Sequence, residues 1–181
     1  YMAIWIGITA AGGVAALINT NLVGPSLAHC IDIVSPKHVI VAAELANSFA
    51  SARPQLKSEP KIWSHGVSGE FPRLDQDIET FSPAALTDAE RCPLTIEDRA
   101  LYIYTSGTTG RPKGVRHRLD SLVGNVISFN RAMGLGREMR MFHVLPMAYM
   151  AGFLNTLLSP MMAGGQVILG PRFSPISALD F

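Results

Sequence analysis

Apolar and polar positions change period repeatedly along the chain, and the changes predict alternating helices and strands. Residues 2–11 (MAIWIGITAA) form an apolar run read as helix, and residues 14–19 follow as a strand beyond Gly12-Gly13. Residues 25–34 predict a helix with Ser26 and Asp32 on its polar faces. The β-branched run HVIVA at 38–42 predicts a buried strand, residues 44–52 a helix and 61–64 another short strand. The pattern lapses over residues 66–99, where Gly66, Gly69, Pro72, Pro83 and Pro93 accompany many acids. That stretch predicts a surface connector with a short helix near 75–80 and an acidic turn near 88–90. Connectors of this length often lie beside a site.

Order resumes with an apolar aromatic strand at 99–104 (RALYIY), then a Gly/Ser/Thr loop and a short extended piece at 114–117. Across 119–133, Leu122, Val126, Phe129 and Met133 recur at three- and four-residue steps, which predicts an amphipathic helix stopped by Gly134. Strand, helix and strand are predicted at 141–145, 150–162 and 166–169. Strand–helix alternation without an internal repeat predicts an α/β fold of layered, mostly parallel sheets with flanking helices. The first residues stand inside an apolar run with no Ser, Thr, Asp or Asn ahead of them as a cap. Ser174-Pro175 announces a helix that has few residues left to run. Both ends therefore predict a piece of a longer protein, with residues 1–181 forming part of one domain.

Composition removes several function classes. Apolar residues make up 48% and charged residues 16%, a balance that excludes a disordered chain. A net charge of +1 makes no electrostatic case for nucleic acid or an anionic membrane. Residues 2–18 come near the lower length limit for a bilayer span, but Gly12-Gly13 interrupts them, so no transmembrane helix is expected. Cys30 and Cys92 lack metal-type spacing and read as reduced thiols. No metal site is predicted within the chain.

The one local cationic cluster, Arg111, Lys113, Arg116, His117 and Arg118, adjoins the most informative run, Thr105-Ser106-Gly107-Thr108-Thr109-Gly110-Arg111-Pro112-Lys113-Gly114. Gly107 and Gly110 let the backbone approach a ligand closely. The hydroxyls of Thr105, Ser106, Thr108 and Thr109 can donate to phosphate oxygens, and successive exposed N–H groups form an anion-holding nest. Lys113 adds a full charge, and Pro112 restricts the chain just before it. An ordinary surface turn needs only one or two special residues. The common P-loop pattern requires Lys directly after Gly and then Ser or Thr, whereas here Pro112 precedes Lys113 and Gly114 follows it. The dinucleotide fingerprint also fails, because no third glycine stands at position 105.

Residues 105–114 closely resemble the phosphate-binding motif of the adenylate-forming (AMP-binding) superfamily, which holds acyl-CoA synthetases, luciferases and peptide adenylation domains. They fit its pattern [ST]-[ST]-G-[ST]-[ST]-G-x-P-K-G at every place. Residues 7–21 resemble the family's early helix–strand, Leu145 to Gly152 its acyl- and adenine-side segment, and Ala163-Gly164-Gly165 its next turn. Asn19-Thr20-Asn21-Leu22 and Ser26-Leu27-Ala28-His29-Cys30 lean toward the very-long-chain acyl-CoA synthetase and fatty acid transport protein group.

The resemblance implies a partial N-terminal AMP-binding domain in an acid–thiol ligase that uses ATP, Mg²⁺ and coenzyme A on a small-molecule carboxylic acid, with a fatty acid as one candidate. It implies that Thr105, Ser106, Gly107, Thr108, Thr109, Gly110 and Lys113 hold the β- and γ-phosphates, and that Tyr149, Met150, Ala151 and Gly152 line the substrate pocket. Many family members carry His where Tyr149 stands, and a core tyrosine with a satisfied hydroxyl is the alternative reading there. His117 and His143 are given no catalytic role. The family's magnesium-binding acid, ribose-gripping aspartate and C-terminal catalytic lysine are expected outside residues 1–181, so no catalytic residue is assigned and the piece alone is expected to be inactive. A cytoplasmic setting is expected, with peripheral membrane association of the parent protein left open. A non-catalytic nucleotide-binding piece and a membrane-associated fatty acid uptake protein remain as alternatives.

Overall fold

A computed structural model describes residues 2–67, 69–106 and 111–170. They divide into two compact units. Of the described residues, the first draws on 2–19, 93–103 and 115–170, the second on 20–67, 69–92, 104–106 and 111–114.

In the first unit, helix α1 (Met2–Ala10) leads to strand β1 (Ala15–Leu17). α1 is apolar on every side, yet only Trp5 is buried. Gly12 ends it with φ +76°, a conformation that residues with a Cβ avoid, while Gly12 and Gly13 donate to the carbonyls of Thr9 and Ile8. A nine-residue helix is about 13 Å long, well short of the ~30 Å hydrocarbon core. Among the described residues no helix is long and apolar enough to cross a membrane.

β1 pairs in parallel with strand β4 (Arg99–Thr105), Ala15 facing Leu101 and Leu17 facing Ile103; strand β5 (Lys113–Arg118) is β4's other neighbour. Helix α5 (Leu119–Met133) presses Leu122 and Val126 into a core with Trp5, Leu101, Ile103 and Phe153. Trp5 and Phe153 meet edge to face at 4.9 Å. The predicted stripe holds for its first positions, whereas Met133, in the last turn, is exposed. Gly134 caps the helix in the left-handed region.

Strand β6 (Arg140–His143) pairs in parallel with β7 (Gln166–Leu169), and ends at His143 rather than at the expected residue 145. The helix expected over 150–162 is not a single α-helix. Ala151–Leu158 is π-helical, and only α6 (Ser159–Ala163) is α. Two residues account for the break. The Thr156 hydroxyl lies 3.0 Å from Gly152 O and competes with the backbone ladder, and Pro160 has no N–H to return to the preceding turn. Ser159, fully buried, is held by a reciprocal pair of hydrogen bonds with Asn130 of α5.

The second unit begins with helix α2 (Gly24–Asp32), followed by β2 (His38–Ala42), a 3₁₀ turn (Ala43–Leu45), α3 (Ala46–Ala52) and β3 (Lys61–His65). β2 and β3 pair in parallel, His38 facing Lys61 and Ala42 facing His65. Leu27, Cys30 and Ile31 of α2 are buried, as are Phe49 and Ala52 of α3 and Val41 of β2. Asp32 closes the end of α2 by accepting from the N–H groups of Lys57 and Ser58 and from the Ser58 hydroxyl. The start of the connector is tied back to Ser64 of β3, wholly buried, whose N–H and hydroxyl donate to Pro72 O and Phe71 O. The short helix α4 (Leu74–Asp77) appears where expected, with Glu90 accepting from Thr87 in the acidic turn.

Candidate functional site

Local sequence brings the run's two flanks to defined places. β4 is apolar through Tyr104, which is buried, and the chain becomes polar and exposed at Thr105 and Ser106. Thr105 therefore stands at the carboxyl end of a parallel strand, the end at which open α/β sheets receive ligands. Lys113 opens β5 and is exposed. The hydroxyls of Thr105 and Ser106 and the Lys113 ammonium thus belong to exposed residues at the two flanks. Gly107, Thr108, Thr109 and Gly110 lie outside the described residues.

Helix α2 holds both flanks. Tyr104 Oη donates to Cys30 O at 2.6 Å in a buried bond. His29 Nε2 lies 3.0 Å from Pro112 O. Cys30 is fully buried, and burial pushes its thiol up to about 11, so it stays protonated and unreactive. Cys92 is exposed, and both cysteines are free, as expected. Nothing in the sequence pointed to His29 or Tyr104 as contacts that hold the flanks of this run. They meet their partners across 83 and 74 residues, and pairing at that separation has no local signature.

The expected pocket segment lies in the first unit. Tyr149 is 44% exposed, so it is not a core tyrosine, but its hydroxyl is held: Asn19 Nδ2 donates to it at 2.8 Å. Met150 is half-buried and Ala151 exposed. Gly152 is buried where a Cβ would stand 2.2 Å from Pro146 O, so only glycine fits against that loop. His117 lies within β5 and His143 ends β6. Burial lowers the pKa of both, partly offset at His143 by its hydrogen bonds at Thr156 and Leu145. Among the described residues no three His, Cys, Asp or Glu side chains gather as a metal site.

Parallel β-pairs flanked by helices define an α/β architecture. Solved structures with this fold include ATP-bound MatB from Rhodopseudomonas palustris (TM-score 0.80, 23% identity, 99% of this chain and 34% of that one). Another is the anthranilate CoA ligase AuaEII with anthranoyl-AMP (TM-score 0.83, 24% identity, 97% and 34%). The family model described as AMP-binding enzyme matches residues 1–180, and the chain belongs to that family. Curated relatives include Long-chain fatty acid transport protein 1 of Rattus norvegicus, 32% identical over 184 residues. Long-chain fatty acid transport protein 6 of Mus musculus is 28% identical over 179. Each match takes in 96% of this chain but only 28% of the relative.

Proposed function

We propose that the protein carrying this chain is an acid–thiol ligase of the AMP-forming type. A carboxylate oxygen attacks the α-phosphorus of ATP, the bond to the β-phosphate breaks, and pyrophosphate leaves. The acyl-adenylate then passes its acyl group to the thiol of coenzyme A, releasing AMP. The observation that carries this reading is the run at 105–114, whose flanking donors Thr105, Ser106 and Lys113 stand exposed where β4 ends and β5 begins. Pyrophosphate departs readily only when its developing charge meets preorganised donors. Residues 105–110 supply hydroxyls and backbone N–H groups in this reading, and Lys113 a point charge. Mg²⁺ would arrive on the phosphates. Hydroxyls and an ammonium suit phosphate oxygens rather than the metal, whose carboxylate ligands belong elsewhere in the protein.

The names of the curated relatives favour a long-chain fatty acid as the carboxylate. Tyr149, Met150 and Ala151 are proposed to line the acyl side, with buried Gly152 letting that segment seat against Pro146. Residues 1–181 form part of the N-terminal domain in this reading, and the mobile catalytic-lysine domain lies outside them. The relatives' transport names also admit peripheral association with a membrane, which carbonate washing of membranes would reverse.

The test is fatty-acid-dependent exchange of labelled pyrophosphate into ATP by the whole protein. Lys113→Ala is expected to lower the exchange rate about 100-fold, from the ~3 kcal/mol that one charged donor contributes in such a site. Its affinity for the carboxylate should be unchanged. Normal exchange in that variant removes Lys113 from the grip, and no exchange by the wild type with any fatty acid removes the ligase.

A further inference from the structure

Two adjacent residues of α2 hold opposite flanks of one run. Tyr104, the last buried residue of β4, is tied to Cys30 O, and Pro112 O is tied to His29 Nε2. A carbonyl oxygen only accepts, so Nε2 carries the proton and donates. Pro112 C=O and Lys113 N–H share one rigid peptide plane. The pyrrolidine ring already fixes φ of Pro112. Two soft dihedrals remain between that ring and the Lys113 side chain, ψ of Pro112 and φ of Lys113: the strand β5 that Lys113 opens holds φ, and whatever aims the carbonyl sets ψ. The imidazole bond and β5 together therefore set the direction in which the Lys113 side chain leaves the backbone. A flexible four-carbon stem bearing a point charge benefits from such an anchored base.

We infer that His29 is a positioning residue for Lys113, and that α2 is the mount for the phosphate-gripping run. The inference rests on the reading of that run as a triphosphate grip. His29 itself touches no substrate; it acts through the Pro112–Lys113 peptide. Nothing about the imidazole as a base is required, only a donor at the Nε2 position.

The test uses the whole protein with His29→Leu and His29→Gln. ATP affinity is measured by calorimetry, the KM values for ATP and carboxylate by pyrophosphate exchange, and folding by thermal melts. His29→Leu is expected to weaken ATP binding and raise its KM about tenfold, the upper range for one hydrogen bond, with the carboxylate KM unchanged. His29→Gln, whose amide can donate from nearly the same point, recovers most of the loss. Unchanged ATP affinity in His29→Leu overturns the inference and leaves the ligase standing. Equal damage in Leu and Gln, or a parallel loss of carboxylate binding, overturns it as well. ATP binding without fatty-acid-dependent exchange defeats the ligase reading, while the calorimetric comparison still decides the role of His29. A wild type that binds no ATP defeats both. Should His29→Leu fail to fold, ring-nitrogen NMR of the wild type decides: a neutral Nε2–H tautomer at His29 supports the bond, and an Nδ1–H tautomer refutes it.

Discussion

Tyr104→Phe removes one oxygen atom, and the structure says where the loss is felt. Cys30 lies in the last turn of α2, where carbonyls have no partner further along the helix. Ile33 N–H returns to His29 O, and the Tyr104 hydroxyl supplies a donor to Cys30 O at 2.6 Å. Deleting that hydroxyl leaves a buried acceptor without this bond, at a cost of about 1–3 kcal/mol. The effect should concentrate on local opening of α2 away from β4, and the Cys30 thiol reports it. That thiol is fully buried and raised to about 11, so alkylation requires the segment to open. Cys92 is exposed and serves as an internal control. Pulse alkylation with a maleimide, read by mass spectrometry at both cysteines, should show Cys30 modified about 5- to 150-fold faster in Tyr104→Phe, the factor that 1–3 kcal/mol implies. Cys92 should react at the same rate in both proteins. Equal Cys30 rates in wild type and variant would refute the claim that this bond ties β4 to α2.

Gly152→Ala puts a Cβ 2.2 Å from Pro146 O, and the backbone must shift to relieve it. A loss of about 1–3 kcal/mol is expected in urea denaturation, with a changed acyl KM if the 149–152 segment lines the pocket. Asp32 pays a desolvation cost that raises its pKa, but hydrogen bonds from the Ser58 hydroxyl and the N–H groups of Lys57 and Ser58 outweigh it and leave the pKa below the usual value. A depressed folded pKa stabilises the fold above the unfolded value near ~3.9 and ceases to do so as pH falls through the folded value. The stability gap between wild type and Asp32→Asn should therefore be full at neutral pH and close under acid; a gap independent of pH from 7 to ~2.5 refutes the assignment.

How far the sequence could be read depended on whether the cause was local. The HVIVA strand, the helix over 119–133 and the stop at Gly134 were legible because β-branching, helical spacing and a left-handed cap act within one turn or one strand. The run at 105–114 stood out for the same reason, as its whole residue pattern lies within ten consecutive positions. The π-helical stretch was not. Apolar spacing over 150–162 cannot separate an α-helix from one in which Thr156 reaches Gly152 O and Pro160 withholds a donor. Met133 fits the helical stripe by spacing but lies outside the core, since periodicity ranks faces without saying where a core ends. His29, Tyr104 and the Asn19–Tyr149 bond were invisible because each joins residues more than 70 positions apart.

That division bears on how the proposed phosphate grip would function. A loop made of glycines and hydroxyls can approach phosphate because its own backbone is permissive, and the same permissiveness costs conformational entropy each time the loop is ordered. A permissive loop grips well only if its ends are already in place, so rigidity has to come from beyond the glycines and hydroxyls. Tyr104 and Pro112 supply it here by opposite means. One is a buried ring whose hydroxyl meets a helix-end carbonyl, and the other a ring-locked residue whose carbonyl meets an imidazole. Both bonds run to neighbouring residues of α2, so a displacement of that helix moves both flanks together and preserves their spacing. Lys113 would keep its register against Thr105 through such a shift, whereas separate anchors on different elements would let the charge and the hydroxyls drift apart.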